Sequence, residues 1–165
     1  MLNVTDEFLY GFTEGEGCFY VGIVPSKETK LGWQVIPFFK VSQNPKGKVI
    51  LDYFKKRLKV GYVKLNDTKT SSDNSLAYVV RDFASLTRVV VPFFEGKLII
   101  KAREFKKFKK ILEMMQMKMH LNKRGLKEII SIAYSMNTTK RKVSKEALMQ
   151  NIPNKILTDY TPKSR

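Results

Sequence analysis

Glu14 and Glu16, set in the run E-G-E-G from Glu14 to Gly17, are the residues whose type and spacing could do chemistry in this sequence. The residues before them carry helix signals. Thr5 is a candidate N-cap, with Asp6 and Glu7 in the first turn, where carboxylates suit the helix dipole. Phe8, Leu9 and Phe12 lie at helical spacing, and Gly11 leaves a bare spot on the same side. Glu14 and Glu16 therefore fall at a helix C-terminus, where the dipole favours cations. A hard divalent ion held by carboxylate, backbone carbonyl and water would compensate them. Mg2+ is the usual choice, with Mn2+ or Ca2+ as alternative occupants. The same four residues also read as a plain Gly-Glu turn between two elements. The lone histidine, His120, lies far from this run and reads as structural.

The elements that must position these acids follow in order. Gly15 and Gly17 are expected to end the helix through positive φ. Cys18–Val24 alternates as a strand, Pro25–Leu31 reads as a hairpin connection, and Gly32–Ser42 as a second strand whose Pro37 implies an edge or a bulge. Asn44 as N-cap with Pro45 at N1 opens a helix to Leu58 that buries Val49, Ile50, Tyr53 and Phe54. Val60–Asn66 and Leu76–Arg81 read as a second strand pair around a polar turn, Asp67–Asn74. Asp82 caps a helix to Phe94, on which Phe83, Leu86, Val89, Val90 and Phe93 recur, and Glu95-Gly96 breaks the chain. Lys97 to about Met117 is expected as one long basic helix with Ile100, Phe105, Phe108, Ile111, Leu112 and Met115 on its apolar side. Gly125 precedes a helix over Leu126–Ser135, and Ser144 caps a last short one. Residues 1–152 read as one domain and 153–165 as a polar tail.

Charge narrows the partners. The chain has 165 residues, 43% of them hydrophobic, with a net charge of +16. That balance points to a polyanion, either nucleic acid or an acidic membrane face. No apolar run approaches membrane-spanning length, and Met1–Asp6 lacks the pattern of a signal peptide. The single cysteine, Cys18, excludes an internal disulfide framework. Lysine outnumbers arginine 24 to 7, which hints at an AT-rich genome such as an organelle's.

The element order is αββαββα, an α+β arrangement. Together with the run L-Y-G-F-T-E-G-E-G from Leu9 to Gly17, it resembles the LAGLIDADG homing endonucleases over residues 5–150. The resemblance implies the αββαββα LAGLIDADG fold with a DNA-binding antiparallel sheet saddle. It implies that motif helices of two domains pack along a pseudo-two-fold axis, with Phe8, Gly11, Phe12 and Gly15 at the contact. It assigns Glu16 and the Gly15 carbonyl to metal, Gln43 to the hydrolytic water, and Lys101 to the cleaved phosphate, with Lys97 a competing register. A second motif does not occur in the sequence, so the family pattern implies a homodimer, or a half-enzyme pairing with another chain. Three departures stand out. Tyr10 replaces the motif's alanine, both acids are Glu, and the basic residue expected after Gln43 falls on Gly47, with Lys46 or Lys48 as substitutes.

In such a fold the hairpins lie in the major groove and offer alternate side chains to base edges. Period two from Glu16 turns Cys18, Tyr20, Gly22 and Val24 outward, an apolar set suited to thymine methyls or shape. The second strand then presents Gln34, Ile36, Phe38 and Lys40, and the other pair Tyr62, Lys64, Asn66, Val79 and Arg81. Such alternation also describes a plain solvent face. Lys27, Lys30, Lys69 and the helix lysines suit phosphates, which position without specifying. The resemblance implies a site-specific, Mg2+-dependent endonuclease acting as a homodimer on a long, partly palindromic duplex and leaving 3′ overhangs, encoded in a mitochondrial or chloroplast intron. Two other classes fit the charge: an intron maturase that binds RNA, and a basic structural nucleic-acid binder. Neither explains paired acids at a helix end.

Overall fold

In the computed structural model, residues 4–66, 74–137, 141 and 143–153 are described. Lys69, most of the 67–74 turn and the tail beyond Pro153 lie outside them. Helix α1 (Asp6–Glu16) starts where the Thr5 hydroxyl accepts from the Phe8 N–H at 3.3 Å. Strands β1 (Gly17–Pro25) and β2 (Trp33–Gln43) form a hairpin, with Gly17 opposite Val41 and Pro25 opposite Trp33. Asn44 caps a single 3-10 turn, Pro45–Gly47, that leads into α2 (Lys48–Leu58). Strands β3 (Tyr62–Leu65) and β4 (Leu76–Val80) make the second hairpin, and the sheet is antiparallel in the order β1-β2-β4-β3. Because β4 pairs only Phe39–Gln43, Pro37 occupies a part of β2 that is open on one side, where its missing N–H costs no ladder bond.

One face of the sheet is covered by helices. Asp82 caps α3, residues 83–94, which is π-wound over Leu86–Val90. Helices α4 (Ala102–Gln116), α5 (Lys123–Tyr134) and α6 (Lys145–Gln150) complete the layer. The buried Phe19 ring anchors it, with the rings of Phe39, Phe94, Phe105 and Phe108 between 5.1 and 5.5 Å away. The Tyr78 hydroxyl, wholly buried, donates to the Val60 carbonyl at 2.7 Å. Burial pushes its pKa well above the ordinary phenol range. Among the described residues no helix is long and apolar enough to cross a membrane.

Several local expectations shift. Gly15 lies within α1, and the helix ends at Gly17 with φ −81°, not in the left-handed region. Gly17 is needed for space: a Cβ there would stand 2.5 Å from Thr13 Cγ2 and 2.7 Å from the Thr13 carbonyl. In α2 the buried stripe is Leu51, Phe54 and Leu58, which leaves Val49 52% exposed. Gly125 is inside α5, whose cap is Asn122, accepting from the Gly125 N–H at 2.8 Å. The long basic helix begins only at Ala102, so Ile100 stands 80% exposed and off its apolar side.

Candidate nucleic-acid interface and catalytic end

The late start of α4 has a chemical cause. The Glu14 carboxylate accepts the backbone N–H of Ile99, of Ile100 at 3.1 Å and of Lys101 at 2.8 Å. These groups stand at the helix's N-terminal end, where backbone donors are unpaired, and Lys101 itself offers no side-chain cap. Glu14 therefore acts as a cap from a distant part of the chain, and an anion there suits the dipole of α4. The two motif acids part company. Glu14 is committed to backbone donors, whereas Glu16 is exposed, with no hydrogen bond or ion pair among the described residues.

Three elements bring the sequence-derived site residues to one end of the sheet. Glu16 ends α1, Gln43 lies two residues beyond the Gly17–Val41 pair, and Lys101 is tied to α1 through Glu14. Gln43 Oε1 accepts the Asn44 N–H at 3.1 Å, which leaves the amide nitrogen free to donate. Its side chain lies over the following turn, and a Cβ at Gly47 would meet Gln43 Oε1 at 2.7 Å. A side chain at position 47, the expected basic position, would therefore require the flexible Gln43 side chain to move. Of its substitutes, Lys46 is exposed and Lys48 is paired with Asp52 at 2.6 Å. The competing registers of the lysine separate as well. Lys97 Nζ stands 6.0 Å over the Tyr10 ring, whereas the charge of Lys101 pulls down the Cys18 thiol pKa. Burial raises the Cys18 pKa, against the pull of Lys40, Lys101 and Arg141. Three cations and one carboxylate, Glu104, thus act on Cys18 at the start of β1, two residues from Glu16.

The outer face of α1 is open. Phe8 is 46% exposed, Gly11 and Gly15 are exposed, and a Cβ at either glycine would meet nothing within 4 Å. Phe12 stacks on Phe8 at 5.9 Å but also reaches Phe54 at 6.3 Å, so it sits at the edge of this face. Tyr10 turns the other way, onto Phe93 at 4.9 Å, and does not obstruct it. By helix geometry the carbonyls of Gly15 and Glu16 leave the helix end without an intrahelical donor. Thr13 Oγ1, on the inner side, is buried without a hydrogen-bond partner among the described residues.

The uncovered face of the sheet carries the predicted alternation. Tyr20, Gln34, Ile36, Phe38, Lys40, Tyr62, Lys64, Asn66 and Arg81 all reach it exposed or half-exposed. Lys27 and Lys30 stand exposed on the hairpin loop beyond. Val79 is the exception, only 3% exposed. It lies on a central strand between Lys40 and Tyr62, and the bond from Lys40 Nζ to Asn66 Oδ1, 3.2 Å long, crosses its strand. Val79 is thus a floor residue and not a contact. Sequence reasoning missed Asn137 and Arg141. Their side chains donate to the Phe19 and Val21 carbonyls on the free edge of β1, at 3.0 and 2.9 Å. The run T-T-K-R-K from Thr138 to Lys142 is the only local signal for them, and it names no acceptor.

A motif helix with a free terminal acid, an open small-residue face and a basic sheet agree with what this chain is similar to. The sequence profile described as LAGLIDADG endonuclease matches residues 9–112. A relative named probable intron-encoded endonuclease 2, from Neurospora crassa, is 33% identical over 158 residues, covering 92% of this chain. The chain spans only 33% of that relative's length. The crystal structure of the homing endonuclease I-TnaI superposes with a TM-score of 0.78 at 35% identity, covering 91% of this chain and 97% of that one. The LAGLIDADG homing endonuclease I-LtrWI, solved bound to its target DNA, gives 0.77 at 32% identity, covering 86% of this chain and 47% of that one. Motif, fold and match coincide over the same residues, and the chain belongs to the LAGLIDADG endonuclease family.

Proposed function

We propose that this chain is one half of a two-chain, divalent-metal-dependent homing endonuclease. It cuts both strands of a long, partly palindromic duplex. The observation that carries the reading is the exposed, unpartnered Glu16 beside the open face of α1. Among the described residues no cluster of three or more His, Cys, Asp or Glu side chains could hold a metal ion. One chain offers one acid, and two copies packed through Phe8, Gly11 and Gly15 bring two together. A carboxylate and backbone carbonyls are hard oxygen donors, so Glu16 and the Gly15 carbonyl fit Mg2+. When bound there, the ion supplies a polarised phosphate and a more acidic water. Lys101 places a positive charge beside the phosphate, held in position by Glu14. Gln43 donates its free amide N–H groups to the attacking water. The sheet binds the flanking duplex, with phosphates on the lysines and base edges on the outward strand residues. The lysine-heavy composition and the intron-encoded relative support an intron gene in an AT-rich organellar genome.

The test is the mass of the protein on duplex DNA at moderate salt. The reading expects two copies per duplex, each of 19.1 kDa. A single copy that cuts both strands overturns the shared site.

A further inference from the structure

The outer face of β1 and β2 is not flat. A cleft of about 430 Å³ opens on it, floored by Tyr20, Gly22, Ile36 and Phe38, with Arg81 and Arg141 at its rim. The floor is rigid. The Tyr20 and Phe38 rings pack at 5.1 Å, and Gly22 sits opposite Ile36. Tyr134, Arg141 and Val143 line its outer side. The Arg141 guanidinium is sandwiched between Tyr20 and Tyr134, at 4.6 and 4.5 Å from the ring centres. It also donates to the Val21 and Ala133 carbonyls at 2.9 and 2.6 Å. With its nitrogens so engaged, Arg141 shapes the cleft and contributes charge, but is not free to grip a guanine.

We infer that this cleft is a thymine-methyl reader, a specificity site for a short thymine block in each half of the target. The inference rests on the proposed DNA-cleaving function and adds what the sheet reads. The net charge of +16 and the two guanidinium groups draw a duplex onto this face. In the major groove the C5-methyl of thymine is the apolar feature that marks a base pair. Gly22, Ile36 and Phe38 offer no side-chain donor, so the base pairs over them are told apart through that methyl, while the Tyr20 hydroxyl and the exposed Arg81 are the donors the cleft holds. Cytosine there would bury its amino group against carbon without a partner. Strand rise is about 3.3 Å per residue and base pairs are about 3.4 Å apart, so the floor covers roughly two to three base pairs. Tyr20 lies four residues past Glu16, which places the block about four base pairs from the cleavage end.

The experiment enriches duplexes from a randomised pool on the wild-type protein, then replaces each thymine of the selected site by deoxyuridine. The expected result is a thymine block at that distance, with binding weakened roughly fourfold for each methyl removed inside it and unchanged outside. Gly22→Ala provides a second reading. Its new Cβ would lie 3.6 to 3.9 Å from its nearest neighbours, ordinary contact, so the fold is retained while the floor rises. Circular dichroism should be unchanged and the deoxyuridine penalty should shrink. Equal binding of thymine and deoxyuridine sites overturns the inference, as does equal binding of the corresponding RNA duplex. A pool from which no duplex is enriched overturns the proposed function itself, and this inference with it.

Discussion

Replacing Glu14 by alanine removes the acceptor of three backbone N–H groups at once, those of Ile99, Ile100 and Lys101. A hydrogen bond to a charged group contributes about 1.5–3 kcal/mol when its donor stays buried. These donors do not stay buried. Ile99 and Ile100 are 88% and 80% exposed, so water replaces the carboxylate there. The expected loss of stability is therefore about 1–2 kcal/mol, closer to the cost of one lost helix cap than to the sum of three bonds. The effect on cleavage is larger. Lys101 is tied to α1 through this carboxylate, and a misplacement of about 1 Å in a positioned group can cost 10²-fold in rate. Urea unfolding and single-turnover cleavage of a selected duplex measure the two effects separately. Glu14→Ala should bind the duplex within about threefold of wild type, a difference of roughly 0.6 kcal/mol. It should cleave on the order of 100-fold more slowly. Unchanged cleavage would refute the claim that Glu14 positions Lys101. So would a loss of stability above about 4 kcal/mol, which would make Glu14 a buried core partner instead.

Other perturbations follow from the same geometry. Thr13→Val removes a buried hydroxyl that has no partner among the described residues, so thermal unfolding should show no loss and a gain of up to about 1 kcal/mol. Gly17→Ala forces a Cβ into Thr13 and should cost about 1–3 kcal/mol in urea unfolding. Tyr78→Phe strands the Val60 carbonyl and should cost about 1–3 kcal/mol by the same assay. Burial lowers the pKa of His120 below its ordinary 6.5. Its folded form resists protonation, so its stability is intact above pH 6.5 and falls as pH drops through 6.5 toward the lower folded value. His120→Leu should flatten that part of the urea-midpoint profile.

Local chemistry made much of the fold legible. Thr5, Asp82 and Ser144 each cap the helix that their sequence context announces, whereas Asn44 caps only the 3-10 turn that leads into α2. The alternation of β1 and β2 assigns their faces correctly because a side-chain period of two leaves no intermediate register. What escaped depends on residues distant in sequence. Glu14 meets donors more than eighty positions away, just ahead of α4, which starts at Ala102 instead of Lys97. Periodicity places Val79 on the right face, yet it does not show that Lys40 and Tyr62 flank it from both neighbouring strands. Tyr10 belongs to the aromatic set around Phe93 and Phe94 instead of the open helix face, which only the packing of α3 decides. Arg141 closes the edge of β1 from a segment without helical or strand periodicity. At the site, Glu16 followed from the motif, but its contrast with Glu14 required the tertiary contact.

Glu16 is the acid we propose each chain contributes to a shared catalytic centre. The most direct measurement is cleavage of a selected duplex by Glu16→Gln, alongside its binding, in Mg2+. Because Glu16 is exposed and has no hydrogen bond or ion pair among the described residues, the variant should fold and bind as wild type does. Binding should be retained and cleavage of both strands abolished. Double-strand cleavage at the wild-type rate by Glu16→Gln would contradict that assignment.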